Sequence, residues 1–276
     1  MINRMTGMPQ AAASRARSGK ARHPVPGDVE SFGRELAGRL ADALDGGLVG
    51  AYFVGSIALG GYVAAESDID VIGVSEHRVP PERRPIIADS VVECAAGCPA
   101  RGLEFTLYRR DVAAALPVAA DFELNANHGP RMARAVHLDP DTEPGFWYVL
   151  DRAIAHSVGV AIAGPPAAQV FADVPRETLL LAMRQSMQWH REHEGATLYS
   201  VLNACRAWRF AAGSALGSKL EGAAWARSRS AHVNPELIDA AVALRQGKSA
   251  ELPASEVDEF LEFVESALSS CHGRRR

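Results

Sequence analysis

Residues 55–70 read GSIALGGYVAAESDID and follow directly on the apolar run Val49-Gly50-Ala51-Tyr52-Phe53-Val54. A strand that breaks at Gly55-Ser56 gives a turn able to receive a phosphate, and Ser67-Asp68-Ile69-Asp70 then leads into a second strand. Residues two apart on a strand point the same way, so Asp68 and Asp70 project together while Ile69 and Val71 face the opposite side. Two adjacent carboxylates repel each other, and a divalent cation is the usual means of keeping both ionised. The stretch points to magnesium and a nucleoside triphosphate, with Ser56 and the amides of the following short helix on the phosphate oxygens.

The flanking sequence supplies the scaffold. Asp28 to Leu44 carries Val29, Phe32, Leu36, Leu40 and Leu44 at helical period and ends at Gly46-Gly47. Strands are predicted at 49–54 and 69–74, and a helix from Pro80 to Ala96 with Gly97 past its end. A third strand, Leu103 to Tyr108, alternates: Leu103, Phe105 and Leu107 share one face, Glu104 and Thr106 the other. A weaker strand is expected near Phe122-Glu123-Leu124, a helix over Trp147 to His156, and a last strand over 158–163. Glu104 thus becomes a third acid facing a cleft. If strands 69–74 and 103–108 are neighbours, Asp68, Asp70 and Glu104 converge, which suits metal-assisted nucleotidyl transfer with one acid taking the proton of an attacking hydroxyl.

Beyond residue 164 the pattern is helical only. Pro175 opens a helix with Leu179, Met183 and Met187 at four-residue steps, and Thr197 caps another whose buried stripe is Leu198, Val201, Leu202, Cys205 and Trp208. Ser218-Lys219-Leu220-Glu221 is a capping box, and Ser255 with Asp258 starts a final helix buried along Val257, Phe260, Leu261, Val264 and Leu268. The fold class expected is α+β: a mixed sheet with flanking helices, then an all-α domain. The divisions are 1–26 (a disordered basic arm), 27–174, 175–272, and a basic tail at 273–276.

Composition narrows the partners. The chain has 276 residues, 47% apolar and 22% charged, with a net charge of −4, as in ordinary globular proteins. The acidic balance weighs against a nucleic-acid polymer as partner. Met1 to His23 is basic without an apolar core, so it is no secretory signal, and no apolar run is long enough to span a membrane. The four cysteines, Cys94, Cys98, Cys205 and Cys271, form no CxxC pair and read as reduced structural thiols of a cytoplasmic protein. His190 and His193 lie three apart without a third ligand and read as surface residues; His156 reads as a hydrogen-bonded structural residue.

Gly-Ser, a short spacer, Asp-x-Asp and a later third carboxylate resemble the signature of the nucleotidyltransferase superfamily typified by DNA polymerase β. Glu104-Phe105-Thr106 resembles the Glu-Val-Thr stretch of the aminoglycoside 3''-adenylyltransferases, the streptomycin and spectinomycin resistance enzymes. Ala155-His156-Ser157-Val158 with Gly164-Pro165 and Phe171 is similar to that family's joining segment. Arg206, Lys219, Ala224-Trp225-Ala226 and Glu259-Phe260 follow in matching order. The resemblance implies Asp68 and Asp70 on magnesium, Glu104 as general base, and Gly55, Ser56, Ser67, Arg206 and Lys219 on ATP as co-substrate. Trp189 resembles a tryptophan that packs on streptomycin, and Glu192 and Glu194 fall where the family places acids for the drug's cationic groups. The activity implied is AMP transfer to an aminoglycoside or aminocyclitol hydroxyl with release of pyrophosphate, conferring resistance, by a monomer.

Two departures stand out. The spacer from Ser56 to Ser67 is one residue longer, and the stretch Asn125-Ala126-Asn127-His128-Gly129 lacks the tryptophan that the family carries in its first-domain substrate loop. Two other readings compete: the same transfer to a protein or RNA hydroxyl, and a nucleotide-binding regulatory module without catalysis. Retention of all three acids favours catalysis.

Overall fold

A computed structural model describes residues 24–64, 66–116, 118–229 and 233–272. The basic stretch up to His23 and the Arg274-Arg275-Arg276 tail lie outside the described residues. The fold begins with α1 (Gly27–Ala43), β1 (Leu48–Phe53), the single turn α2 (Gly55–Ala58), β2 (Ile69–Ser75), α3 (Arg84–Ala95) and β3 (Leu103–Arg109). Then come α4 (Arg110–Ala114), the hairpin β4 (Leu124–Gly129) and β5 (Met132–His137), α5 (Gly145–Val158) and β6 (Val160–Ala163). The sheet runs β5-β4-β3-β2-β1-β6. Only β2 and β3 pair in parallel; the other four neighbouring pairs are antiparallel. It is the mixed sheet expected.

Alternation along the strands sorts the two faces. Ile69, Val71, Leu103, Phe105 and Leu107 bury against Val29, Phe32, Leu36 and Leu40 of α1 and Ile87 and Val91 of α3. On the opposite face Ile72, Val74 and Tyr108 pack with Tyr148, Ile154 and Phe171. Asp70 and Glu104 share that second face by the two-residue period and line the cleft there together with Asp151 of α5. His156 is structural, its Nδ1 lying 2.7 Å from the Phe171 carbonyl. The four cysteines are free thiols, three of them buried.

Two expectations change here. The weak strand expected at Phe122-Glu123-Leu124 starts only at Leu124, and the stretch Asn125–Gly129 is strand rather than loop. It pairs with an unanticipated partner, β5. Asparagine and histidine favour turns in isolation; here Asn125 is held by a 3.0 Å bond from its Nδ2 to Thr106 Oγ1 of β3.

The helical half comprises α6 (Arg176–Trp189), a π-turn at His190–Glu194, α7 (Leu198–Ala211), α8 (Lys219–Arg227), α9 (Pro235–Arg245) and α10 (Ala254–His272). Thr197 accepts from the Ser200 amide, and both arms of the Ser218/Glu221 capping box form. Such caps contribute about 1 kcal/mol each. Their core takes Leu179, Met183 and Met187 from α6, Val201, Leu202 and Cys205 from α7, and Val257, Leu261 and Val264 from α10. α5 serves both cores: Tyr148 and Ile154 face the sheet, while Phe146, Val149 and Ala153 enter the helical core. α5 thereby fixes the sheet against the helices and defines the cleft between them. None of the described helices is long and apolar enough to cross a membrane.

Candidate active site

The cleft, about 530 Å³ in volume, runs between the sheet and α5–α9; that is the size of a small-molecule site. Its floor is set by strand register: Asp70 on β2 stands opposite Glu104 on β3, and Glu104 opposite Asn127 on β4. Asp68 sits one residue before β2 and lines the same cleft. Gly55, at φ +51°, turns the chain where any larger residue would strike Asp70: a Cβ there would meet the carboxylate oxygen at 1.9 Å. The Ser56 amide faces that oxygen at 3.4 Å. α2 is a single turn, so the expected helix start supplies little beyond this amide and the Ser56 hydroxyl, which is buried without a partner.

Burial and then the Asp68 charge push the Asp70 pKa up, against the pull of Lys219. The walls around Glu104 likewise strip bulk water from a carboxylate that opens into the cleft. That desolvation, then the Asp70 charge, raises its pKa too. Each acid thus resists ionising beside the other, a conflict that a hard cation resolves. Oxygen donors of this kind suit magnesium. Asp68 is engaged differently: Arg101 donates to both its oxygens, at 2.6 and 2.8 Å. Among the described residues no three His, Cys, Asp or Glu side chains are gathered as a metal cage. Asp70 could hold a cation together with Asp68, which lines the same cleft in Arg101's grip, while Glu104 stands beside them.

Cations face these acids from the helical half. Arg206 on α7 donates from Nε to the Gly217 carbonyl at 3.0 Å, and Lys219 on α8 lies 4.6 Å over the Tyr199 ring. Burial lowers the Arg206 pKa. Burial, then the neighbouring Arg206 and Arg245, lowers Lys219 to about 8. Clustered cations of this kind welcome a polyanion. Ser67 is buried; its Oγ accepts from the Val63 amide at 2.9 Å and closes the 56–67 loop.

At the other end Trp147 and Trp189 meet edge to face, ring centroids 5.5 Å apart. Glu194 lines the cleft; burial opposes its ionisation, but bonds from His190, Ser200 and Thr197 hold its pKa below the usual value. His190, expected at the surface, is 1% exposed: α6 runs on through the π-turn and tucks the ring against Trp147. His193 is exposed and stacks on Trp189 at 5.5 Å. A chain of contacts runs from Glu194 through His190 to Asn203 (3.1 Å) and on to Arg206 (3.4 Å). Glu192 is not brought to the cleft. It is exposed and accepts from Gln188 Nε2 at 2.8 Å on the outer side of α6.

Four contributors escaped sequence reasoning: Arg101, Trp147, Asp151 and Arg245, all lining the cleft. Trp147 lies one turn before Asp151 on α5, so both face the same way; that spacing was the one signal available. Burial, then Asp70, pushes the Asp151 pKa up to about 7.

The fold thus sets acids on the sheet floor against cations on the facing helices. The spectinomycin adenyltransferase AAD(9) from Enterococcus faecialis, solved with ATP and spectinomycin, shares the fold: TM-score 0.61 at 16% identity, covering 85% of this chain and 98% of that one. Residues 169–270 match the family model for the aminoglycoside adenylyltransferase C-terminal domain. No curated protein matches the chain in sequence.

Proposed function

We propose that the protein transfers AMP from ATP, with Mg²⁺, to a hydroxyl of an aminoglycoside or aminocyclitol of streptomycin or spectinomycin type. The observation that carries this reading is the register that sets Asp70 beside Glu104 on the floor of a cleft whose opposite wall holds Arg206 and Lys219. Residues 27–174 would supply the acids and 175–272 most of the cations, and the enzyme would act in the cytoplasm, where ATP is available. Glu104 takes the proton of the acceptor hydroxyl; the freed oxygen bonds to the α-phosphorus as the bond to pyrophosphate breaks. Asp70 and Asp68 would hold the magnesium ion, which neutralises triphosphate charge as it develops. Arg206 and Lys219 orient the phosphates, and Ser56 donates its free hydroxyl to them.

The acceptor belongs between Trp147, Trp189 and Glu194. Flat aromatic faces with a carboxylate held ionised suit a cationic sugar. The neighbour's crystallised partners, ATP and spectinomycin, accord with this pairing. The test is pyrophosphate release by purified protein with ATP and Mg²⁺ across a panel of aminoglycosides and aminocyclitols. Drug-dependent release is expected; silence across the whole panel refutes the acceptor class.

A further inference from the structure

Arg245 closes α9, in the helical half, yet it reaches back under the 56–67 loop. Its Nη2 donates to the Gly61 carbonyl at 3.2 Å and to Ser67 Oγ at 3.4 Å. The residue is 7% exposed, lines the cleft, and has a buried Nε–H with no acceptor. Among the described residues no carboxylate lies within ion-pair distance of it. Arginine is almost never buried unpaired, and an orphaned donor on a charged group costs more than a neutral one. Two further cations stand near enough to feel it, since its charge disfavours protonation of Arg206 and Lys219. The hydroxyl of Ser56, in the same cleft, is likewise buried without a partner. A buried, unpaired guanidinium beside two other cations and a free hydroxyl lacks a multiply charged anion.

We propose that Arg245 is a third cationic ligand of the nucleotide's phosphates, binding them through Nε while its Nη2 holds the loop that carries Ser56. This rests on the nucleotidyltransferase reading and adds to it: the phosphate site is completed from α9, so nucleotide binding draws the last helices of the chain onto the Gly-Ser loop. A purely structural latch would need only the two Nη2 contacts and would leave Nε without a function.

The test is equilibrium binding of adenosine, AMP, ATP and inorganic tripolyphosphate to the full-length wild type, Arg245→Gln and Arg245→Lys, with thermal unfolding as a folding control. A charge-assisted bond of the usual strength corresponds to about 10-fold or more in affinity. Arg245→Gln should lose at least that for ATP and tripolyphosphate and less than about twofold for adenosine. Arg245→Lys, which keeps the charge and protects the fold, should recover part of the loss but not all, because an ammonium cannot reproduce the guanidinium fork. Wild-type affinity for both phosphate ligands in the variants overturns the assignment, as does an equal loss for adenosine. If the wild type binds neither ATP nor tripolyphosphate, the nucleotide reading falls together with it.

Discussion

Gly55 links backbone geometry to chemistry at one atom, so Gly55→Ala tests the site sharply. The added Cβ would lie 1.9 Å from Asp70 Oδ2, 2.3 Å from its Cγ and 2.9 Å from its Cβ. Ordinary carbon contacts need about 3.5 Å, so the carboxylate must retreat by more than about 1 Å. Positioning errors of about 1 Å cost on the order of 100-fold in rate. The φ of +51° adds roughly 1–2 kcal/mol of backbone strain for a residue with a Cβ. Gly46→Ala is the control: its φ is +79° and its Cβ would meet nothing within 4 Å, so it carries similar strain without touching Asp70. Thermal unfolding and pyrophosphate-release kinetics on both variants separate the two effects. Both midpoints should fall, while kcat/KM should drop about 100-fold only in Gly55→Ala. A folded Gly55→Ala enzyme within about threefold of wild type would refute the placement of Asp70 at the reacting phosphate.

Other expectations are narrower. Asp151 has its pKa raised from 3.8 to about 7, so the folded state keeps a proton that the unfolded chain releases, and its contribution to stability falls as pH rises between those values. Without metal or nucleotide, Asp151→Asn should therefore gain thermal midpoint over wild type at pH 8 relative to pH 5; a difference that does not grow with pH contradicts the desolvation. Glu194→Gln should raise acceptor KM about 10-fold through loss of the anchored charge, with ATP KM little changed. Glu192→Gln, altering a residue outside the cleft, should leave both constants within twofold or so; the reverse pattern would mean that the acceptor approaches from the outer face of α6.

The parts legible in the sequence were those where a local period coincides with a buried face. Alternation in Leu103–Tyr108 located Glu104, and the Asp-x-Asp pattern located Asp70, because both lie on strands buried on the opposite side. Thr197 and Ser218 announced their helices through side-chain chemistry that is complete within four residues. The hairpin of β4 and β5 stayed hidden because Asn125 and Asn127 are strand residues only by virtue of the neighbours that β3 offers them. α9 had its Asn-Pro start at Asn234-Pro235 but a small apolar stripe. Arg101, Asp151 and Arg245 matter through contacts 33 to 184 residues away in sequence, such as Arg101 with Asp68 and Arg245 with Gly61. No local pattern encodes those contacts. His190 looked like surface until the π-turn carried it inward, and Glu192 and Glu194, two apart, proved to lie on opposite sides of that turn.

On the proposed function, the paired carboxylates drive transfer of AMP to a cationic drug. Mass spectrometry of streptomycin and spectinomycin after incubation with ATP, Mg²⁺ and either wild type or Glu104→Gln tests it directly. With wild type, one of the two drugs should gain a single adenylyl group; with Glu104→Gln the product should fall by at least about 100-fold while ATP binding persists. Unmodified drugs in the presence of folded, ATP-binding wild type would contradict the claim, as would undiminished product from the variant.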